Sequence, residues 1–199
     1  MADRQMIRGV GKLVARVWDR VPRSRLTGVE YARRRGVRVG ERCYIATIHF
    51  GSEPFLISIG DDTAVGPDVV VLTHNGAAGL FRDEKGERRQ YRPVSIGSRV
   101  VIGARAIIVP GVRINDEVII GAGSVVTKSI PTGWVIAGNP ARKIGKFTDY
   151  GDRALADFAV DEDIGLYPSF EAKIRAVAEQ QHLPYLGSDT LSATACPCR

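Results

Sequence analysis

The chain has 199 residues and carries 28 Lys or Arg against 22 Asp or Glu, a formal net charge of +6. Its cysteines are Cys43, Cys196 and Cys198, an odd number that argues against a disulfide framework and is too sparse for a zinc site. No apolar run approaches the roughly twenty residues that a membrane-spanning helix needs. The composition predicts a cytoplasmic protein of one domain plus extensions, without a metal.

The N-terminal part is a separate basic segment, since residues 1–42 have a net charge of +8. A basic residue recurs at every fourth position, beside an apolar stripe at helical spacing. The basic stripe is Arg4, Arg8, Lys12, Arg16 and Arg20, and the apolar stripe is Ile7, Val10, Val14, Val17, Trp18 and Val21. This pattern predicts an amphipathic helix that ends before Pro22, within a helical segment 1–36. Its basic residues interrupt any signal-peptide-like apolar run.

Two interpretations of this basic helix stay open. Its apolar stripe can pack on the first turn of the domain that follows, which would otherwise present an open edge. Alternatively, its arginines can also attract anionic lipid head groups or an acidic glycan, which would give peripheral association with the inner face of the membrane. A nucleic-acid partner is not expected, because no interleaved aromatic residues or recognisable binding motif accompany the arginines.

The next segment repeats an aliphatic residue at every sixth position. On an α-helix six steps turn a side chain by 240°, so these residues would scatter over three faces. On one straight strand, residues 96–126 would extend for roughly 100 Å. A period of six therefore predicts a solenoid in which three short strands make one three-sided coil. The repeated residues are Ile59, Val65, Val71, Ile96, Ile102, Ile108, Ile114, Ile120 and Val126.

The positions between these aliphatics support the same prediction. Residues that tolerate a left-handed backbone follow the aliphatic directly, which suits a tight corner; they are Gly60, Gly66, Gly97, Gly103, Asn115 and Gly121. Four positions after the aliphatic, the residue is small or β-branched and can pack beside it. These residues are Thr63, Val69, Val100, Ala106, Val112, Val118, Ser124 and the larger Ile130.

The six-residue repeat is interrupted by an excursion at 75–93, and His74 lies at the start of this excursion. A solenoid buries no more core by such an excursion, so a loop of this length is more often functional. Of the other histidines, His182 lies in the tail, and His49 in an irregular early coil reads as structural or as a supporting group. Spacing alone would leave His74 as a corner residue bound to a backbone carbonyl.

After the repeats, residues 149–163 read as acidic and irregular. Pro168 and Ser169 then open a helical pattern that runs to about Gln181, with Phe170, Ile174 and Val177 as its apolar stripe. From His182 the chain reads as a tail. The predicted domains are 1–36, 37–146 and 147–199, the last a short helical extension and tail.

The residues of the middle segment resemble a known family. The hexads are similar to the left-handed parallel β-helix of the hexapeptide-repeat acyltransferases. Segments 50–61 and 72–76 resemble its sugar O-acetyltransferase branch, close to enzymes that modify polysaccharides and lipopolysaccharides and similar to galactoside, maltose and nodulation-factor acetyltransferases. Segments 120–128 and 135–144, which contains Gly-Asn-Pro-Ala-Arg, match the C-terminal signature of that family. The likeness covers residues 37–146 and predicts an all-β solenoid.

The resemblance implies an acetyl-CoA-dependent O-acetyltransferase that works by direct attack in a ternary complex. His74 takes the place of the general base, which suits a sugar hydroxyl because the pKa of histidine lies near neutrality. By alignment, Ala104 supplies a backbone N–H to the oxyanion. Glu53 orients the imidazole, binds a sugar hydroxyl or is only a solvated turn residue. Asn75 contacts sugar or adopts a left-handed turn before Gly76.

The resemblance also implies that acetyl-CoA lies along the prism, in a groove between two subunits of a homotrimer. Small residues admit the pantetheine arm at Gly103, Ala104, Gly121 and Ala122, with Thr127 and Lys128 on the same line. Basic residues meet the phosphates at Arg142, Lys143 and Lys146. The acceptor site is predicted at Asn75, Phe81, Arg82 and Tyr91, with Arg88 and Arg89 as further candidates. The chain departs from relatives at Val101, where several carry tryptophan, and at Gly145, where galactoside-type relatives have arginine.

Two alternatives remain beside the sugar O-acetyltransferase. One is an acetyltransferase for another small acceptor, such as an antibiotic or a sugar amine, and the other is a non-catalytic β-helix scaffold. A γ-class carbonic anhydrase is not expected, because His49, His74 and His182 lack the spacing of its three zinc ligands. A nucleotidyltransferase would need a nucleotide-binding domain, which the basic N-terminal segment is too short to form.

Overall fold

The computed structural model describes residues 27–159 and 169–178. The chain divides into two compact units between Asp152 and Arg153. The basic helix predicted to end before Pro22, and the tail from His182, lie outside the described residues.

The described chain begins with helix α1, Gly28–Arg35, which the sequence analysis did not predict separately. A capping box fixes its start, because the Thr27 hydroxyl accepts from the Glu30 N–H and the Glu30 carboxylate accepts from the Thr27 N–H. The helix ends at Gly36, whose φ of 103° lies in the left-handed region. Ala32 is fully buried. In the described chain, α1 is the helix that packs on the first strands of the repeat.

The repeat domain consists of short strands. Their bounds are β1 Arg38–Val39, β2 Tyr44–Ile45, β3 Ile57–Ile59, β4 Ala64–Val65, β5 Val70–Val71, β6 Arg82–Asp83, β7 Gly86–Glu87, β8 Val94–Ile96, β9 Val101–Ile102, β10 Ile107–Ile108, β11 Arg113–Ile114, β12 Ile119–Ile120, β13 Val125–Val126, β14 Trp134–Ala137 and β15 Arg142–Lys146. Apart from β6, β7 and β15, these strands pair in parallel.

The parallel strands form three sheets that the chain visits in rotation. Sheet I contains β1, β3, β8 and β11; sheet II contains β2, β4, β9, β12 and β14, with β15 antiparallel at its edge; sheet III contains β5, β10 and β13. The pairing aligns the repeated aliphatics, as in Ile96 with Ile114 and Ile102 with Ile120. The predicted pairing of every third strand is therefore confirmed in an all-β repeat domain. We call each passage through the three sheets a circuit.

The core of this unit is the predicted one. Every repeated aliphatic from Ile59 to Val126 is buried, and so are the predicted small or β-branched residues from Thr63 to Ile130. Ile and Val suit these positions because a short pleated strand can accommodate a β-branched side chain without strain.

The prediction that the glycine after each aliphatic supplies a left-handed backbone was wrong. The left-handed residues come three positions after the aliphatic, and are Asp62, Asp68, Arg99, Arg105, Gly111, Glu117 and Gly123. The glycines are needed for close approach instead. A Cβ on Gly103 would lie 2.5 Å from the backbone nitrogen of Ala122 in the next circuit. At Gly60 it would lie 2.7 Å from the carbonyl carbon of Gly97.

The passage from sheet I to sheet II, which we call corner I/II, carries a column of charges. Arg42, Asp62, Arg99 and Glu117 occur there in successive circuits, and their signs alternate. Arg42 Nε lies 2.6 Å from Asp62 Oδ1, and Arg99 Nη1 lies 2.8 Å from Glu117 Oε1. The hydrogen bond from Arg42 lowers the pKa of Asp62.

The excursion 75–93 has internal structure that the sequence analysis did not predict. A 3-10 helix spans Gly76–Leu80, and β6 and β7 form an antiparallel hairpin. Its two ends are joined, because the Arg92 N–H donates to the Thr73 carbonyl at 2.8 Å and the Asn75 N–H to the Gln90 carbonyl at 3.0 Å. The excursion therefore leaves and rejoins the repeat at nearly the same point.

Two helices follow the repeats. Helix α2, Phe147–Asp157, corrects the prediction of an irregular segment from residue 149, since Asp149 lies favourably in its first turn and the stretch 154–156 contains good helix formers. Helix α3, Phe170–Val177, begins at Ser169 as predicted but ends before Gln181. None of the helices in the described ranges is long and apolar enough to cross a membrane. The domain boundaries at 36/37 and 146/147 stay predictions.

Candidate active site

The site lies at the passage from sheet III to sheet I, which we call corner III/I. His74 follows β5 there, and Glu53 stands one circuit earlier, directly before the 3-10 helix Pro54–Leu56. Although the two residues are 21 positions apart, His74 Nδ1 lies 2.9 Å from Glu53 Oε2. The repeat thus brings an imidazole and a carboxylate into direct contact, which is the arrangement of a base and its orienting group.

The Glu53 carboxylate is the less accessible member of this pair. Its side chain is 16% exposed and that of His74 is 41% exposed. The hydrogen bond with His74, followed by that from the Thr73 hydroxyl, holds the pKa of Glu53 below its ordinary value. An ionised carboxylate only accepts hydrogen bonds, so the network assigns the Nδ1 proton to His74 and leaves Nε2 with a lone pair. His74 is therefore arranged to accept a proton through Nε2.

A cavity of about 340 Å³ opens beside His74. Its lining is mainly polar, and comprises Ser52, Glu53, His74, Asn75, Gly76, Gly79, Glu87, Arg88, Arg89, Gln90 and Tyr91. The Tyr91 ring lies 6.1 Å from the His74 ring, between centroids. A hydrogen bond with Tyr91 raises the pKa of Arg89, whose guanidinium is 3.5 Å from Glu87. A small pocket rich in donors and acceptors suits a hydroxylated ligand.

The predicted acceptor residues divide between this cavity and the solvent. Asn75 and Tyr91 line the cavity, as do the further candidates Arg88 and Arg89, whereas Phe81 and Arg82 do not. Phe81 is 67% exposed. Arg82 lies on the hairpin, 3.8 Å from Glu87.

The alternative of a left-handed turn at Asn75 was wrong. Its backbone is extended, with φ −113°, and its side-chain oxygen accepts the Ala77 N–H at 3.0 Å. Thr73 and Gln90 were not among the predicted site residues. Thr73 has a visible signal, a hydroxyl next to the histidine, whereas Gln90 has none because nothing in the sequence shows that it pairs with Asn75.

The residues predicted to meet the donor lie at two corners. Gly103, Ala104, Gly121 and Ala122 are stacked in adjacent circuits where sheet II passes to sheet III, which we call corner II/III. The Ala104 carbonyl accepts the Gly123 N–H at 2.8 Å. Nothing in the described part of the chain accepts a hydrogen bond from the N–H of Ala104 or Ala122. Corner II/III therefore offers two open backbone donors beside small side chains.

Thr127 and Lys128 do not continue this line. They follow β13 of sheet III and lie at corner III/I, because six residues take the chain from one corner to the next. Arg142, Lys143 and Lys146 lie on β15, at the edge of sheet II.

The basic residues of β15 already have intramolecular contacts. The Lys143 ammonium lies 4.5 Å from the centre of the Trp134 ring, and Arg142 donates to the Ala141 carbonyl at 3.0 Å. Both side chains remain exposed, so these contacts leave donors for a ligand.

His49 lies outside the cavity. Its side chain is exposed, and Nε2 is 3.9 Å from Asp68. Among the described residues there is no group of three or more histidine, cysteine or acidic residues that could hold a metal ion.

Comparison with known proteins decides the family. Residues 93–128 match the family model described as a hexapeptide repeat of succinyl-transferase. The chain is 41% identical to Protein CapG of Staphylococcus aureus over 126 residues, which cover 62% of this chain and 73% of CapG. The chain belongs to the hexapeptide-repeat acyltransferase family.

This hexapeptide-repeat acyltransferase matches other members over a smaller share of their length. It is 37% identical to the galactoside O-acetyltransferase of Escherichia coli K12 over 97 residues, which cover 49% of this chain and 47% of that enzyme. A solved galactoside acetyltransferase in complex with coenzyme A is 31% identical, with coverage of 59% and 58% and a TM-score of 0.48. The chain thus spans about half the length of the galactoside O-acetyltransferase of Escherichia coli K12.

Proposed function

We propose that the protein is an acetyl-CoA-dependent O-acetyltransferase whose acceptor is a sugar hydroxyl of a polysaccharide, a lipopolysaccharide or a precursor of either. The observation that carries the proposal is the Glu53–His74 pair, 2.9 Å apart, beside a polar cavity. The name of the related galactoside O-acetyltransferase supports a sugar acceptor.

In the proposed reaction, His74 Nε2 accepts the proton of the sugar hydroxyl as its oxygen attacks the thioester carbonyl. The Ala104 N–H donates to the oxyanion of the tetrahedral intermediate. When this intermediate collapses, the bond from carbon to sulfur breaks and His74 returns its proton to the departing thiolate. The products are an acetyl ester and free coenzyme A, and Glu53 holds the imidazole in one tautomer throughout.

The spacing of the corners supports a site built by two copies of the chain. One side of a circuit takes six residues, which extend for up to roughly 20 Å. The base must lie within about 3 Å of the attacking hydroxyl oxygen, and the oxyanion donor within about 3 Å of the carbonyl oxygen. Both oxygens are bonded to the same carbon in the tetrahedral intermediate. We therefore infer that His74 at corner III/I of one copy meets Ala104 at corner II/III of another. We infer a homotrimer of left-handed β-helices, in which each groove lies between neighbouring subunits.

The same arrangement assigns the donor contacts. The open N–H groups of Ala104 and Ala122 pair with pantetheine carbonyls, and Gly103 and Gly121 let the circuits stack closely enough to keep these donors in line. The phosphates are met by Arg142, Lys143 and Lys146, whose charges suit them. Thr127 and Lys128 come to this groove from the neighbouring subunit, since they share corner III/I with His74.

The proposal is tested by following thiol release from acetyl-CoA with sugar hydroxyl, sugar amine and antibiotic acceptors. His74→Ala should lower kcat by roughly 10²- to 10⁴-fold while coenzyme A binding is kept, because only the base is removed. His49→Ala, an exposed histidine outside the cavity, is the matched control. Turnover restricted to amine acceptors would contradict the proposed acceptor, and full activity in His74→Ala would contradict the mechanism.

A further inference from the structure

We propose that Thr73 is a positioning residue of this site, whose hydroxyl fixes the Glu53 carboxylate in the orientation that aligns His74. The inference rests on the proposed function, because it names a residue that acts through Glu53 on the same base. Thr73 lies after strand β5 and directly before His74, where the excursion begins.

The contacts of Thr73 place its hydroxyl firmly. The residue is fully buried, and its Oγ1 donates to Glu53 Oε2 at 2.7 Å. The same oxygen, Oε2, lies 2.9 Å from His74 Nδ1. The Thr73 carbonyl accepts the Arg92 N–H at 2.8 Å, so the returning end of the excursion fixes the backbone at this point.

The shared oxygen gives the hydroxyl its effect. A carboxylate oxygen offers two lone pairs. When Thr73 occupies one lone pair of Oε2, the other is directed at Nδ1 of His74. Without the hydroxyl, Oε2 loses the donor that fixes it beside His74, which is unfavourable in a side chain only 16% exposed. The contribution of Thr73 to the lowered pKa of Glu53 is consistent with this effect.

Two substitutions separate this role from simple packing. Thr73→Val keeps the shape and removes the hydroxyl, whereas Thr73→Ser keeps the hydroxyl and removes a methyl group. If the hydroxyl positions Glu53, Thr73→Val should lower kcat roughly tenfold or more, the scale of one charge-assisted hydrogen bond, and Thr73→Ser should remain near wild type. A packing role predicts the reverse order, and that result would overturn the inference.

Thr63→Val is the matched control for the loss of a buried hydroxyl. Thr63 is also buried, but its Oγ1 donates to the backbone carbonyls of Asp61 and Gly97, each at 3.0 Å, away from the cavity. This variant should lower Tm while kcat and its pH profile are kept. A comparable loss of kcat in both valine variants would show a general effect of instability and contradict the proposal.

A readout that does not need turnover separates this inference from the proposed function. In Thr73→Val, the pKa of Glu53 measured by carboxyl ¹³C NMR should rise toward its ordinary value. In Thr73→Ser the pKa of Glu53 should stay near its wild-type value. An unchanged titration of Glu53 would overturn the role of Thr73, whereas a normal NMR response without acetyl transfer to any acceptor would contradict the proposed function alone.

Discussion

Glu53 combines a side chain that is only 16% exposed with a lowered pKa. Burial alone would raise the pKa of a carboxyl group, because it penalises the charged form. Here the hydrogen bonds with His74 and Thr73 outweigh that penalty. The carboxylate therefore remains ionised at neutral pH, where under the proposed mechanism it would stabilise the imidazolium formed during proton transfer.

The lowered pKa of Glu53 predicts a pH-dependent contribution to stability. A carboxyl group whose folded pKa lies below its ordinary value of 4.5 stabilises the fold above that pH and loses the effect as the pH falls through the folded pKa. Glu53→Gln should therefore be less stable than wild type at pH 7, and the difference should shrink below pH 4.5. Urea unfolding of both proteins at matched concentrations measures this difference in stability. A difference independent of pH would contradict the assignment.

Among the elements, the corners explain why small residues follow the aliphatics of sheets I and II. Successive circuits approach so closely there that a Cβ on Gly60, Gly97 or Gly103 would collide with backbone atoms of the next circuit. The left-handed positions two residues further on instead accept charged side chains such as Asp62 and Arg99. At the glycine positions the constraint is space between circuits rather than backbone angle.

This constraint gives a prediction for the glycines. Gly103→Ala places a Cβ 2.5 Å from the Ala122 nitrogen. Because backbone must move to relieve the contact, we expect a loss of about 1–3 kcal/mol in the free energy of unfolding. Gly145→Ala is the matched control, since its Cβ would make an ordinary contact at 3.8 Å with Val135. Equal stability of the two variants, measured by denaturant unfolding, would show that the corner can relax freely.

The elements also show what the sequence could and could not predict. The register of the strands follows from one buried aliphatic per hexad, so pairs such as Ile96 and Ile114 could be predicted. The capping box at Thr27 and Glu30 was readable as a helix start and was missed. The contact of Glu53 with His74 was one of three predicted alternatives, and spacing alone could not select it because their separation of 21 departs from the repeat of 18.

For the whole molecule, the main consequence is that one chain does not contain one complete site under the proposed mechanism. His74 and the open N–H of Ala104 lie at different corners. The outward positions of sheet II, among them Val101 at 45% exposure, offer apolar surface that a second copy can cover. Activity should therefore depend on assembly of the chain into oligomers. Sedimentation analysis measures that oligomeric state directly.

Subunit mixing tests the shared site. His74→Ala removes the base, and Ala122→Trp at an exposed position should block the groove without disturbing the core. Each variant alone should be inactive. Trimers that contain both, isolated through two affinity tags, should recover about one third of wild-type activity, because a closed ring with both chain types has one junction with both parts intact. Inactive mixed trimers would contradict a site shared between subunits.

The alternating column at corner I/II bears on how the chain chooses its stacking order. Ile and Val occupy nearly equivalent core positions in every circuit, so burial alone scarcely distinguishes a neighbouring circuit from the next but one. Stacking that omitted a circuit would bring Arg42 to Arg99 and Asp62 to Glu117, whereas the native order pairs opposite signs throughout. Like charges in direct apposition disfavour such an error. The surface charges of this corner thus distinguish the correct neighbouring circuit from the others, which the uniform interior does not do.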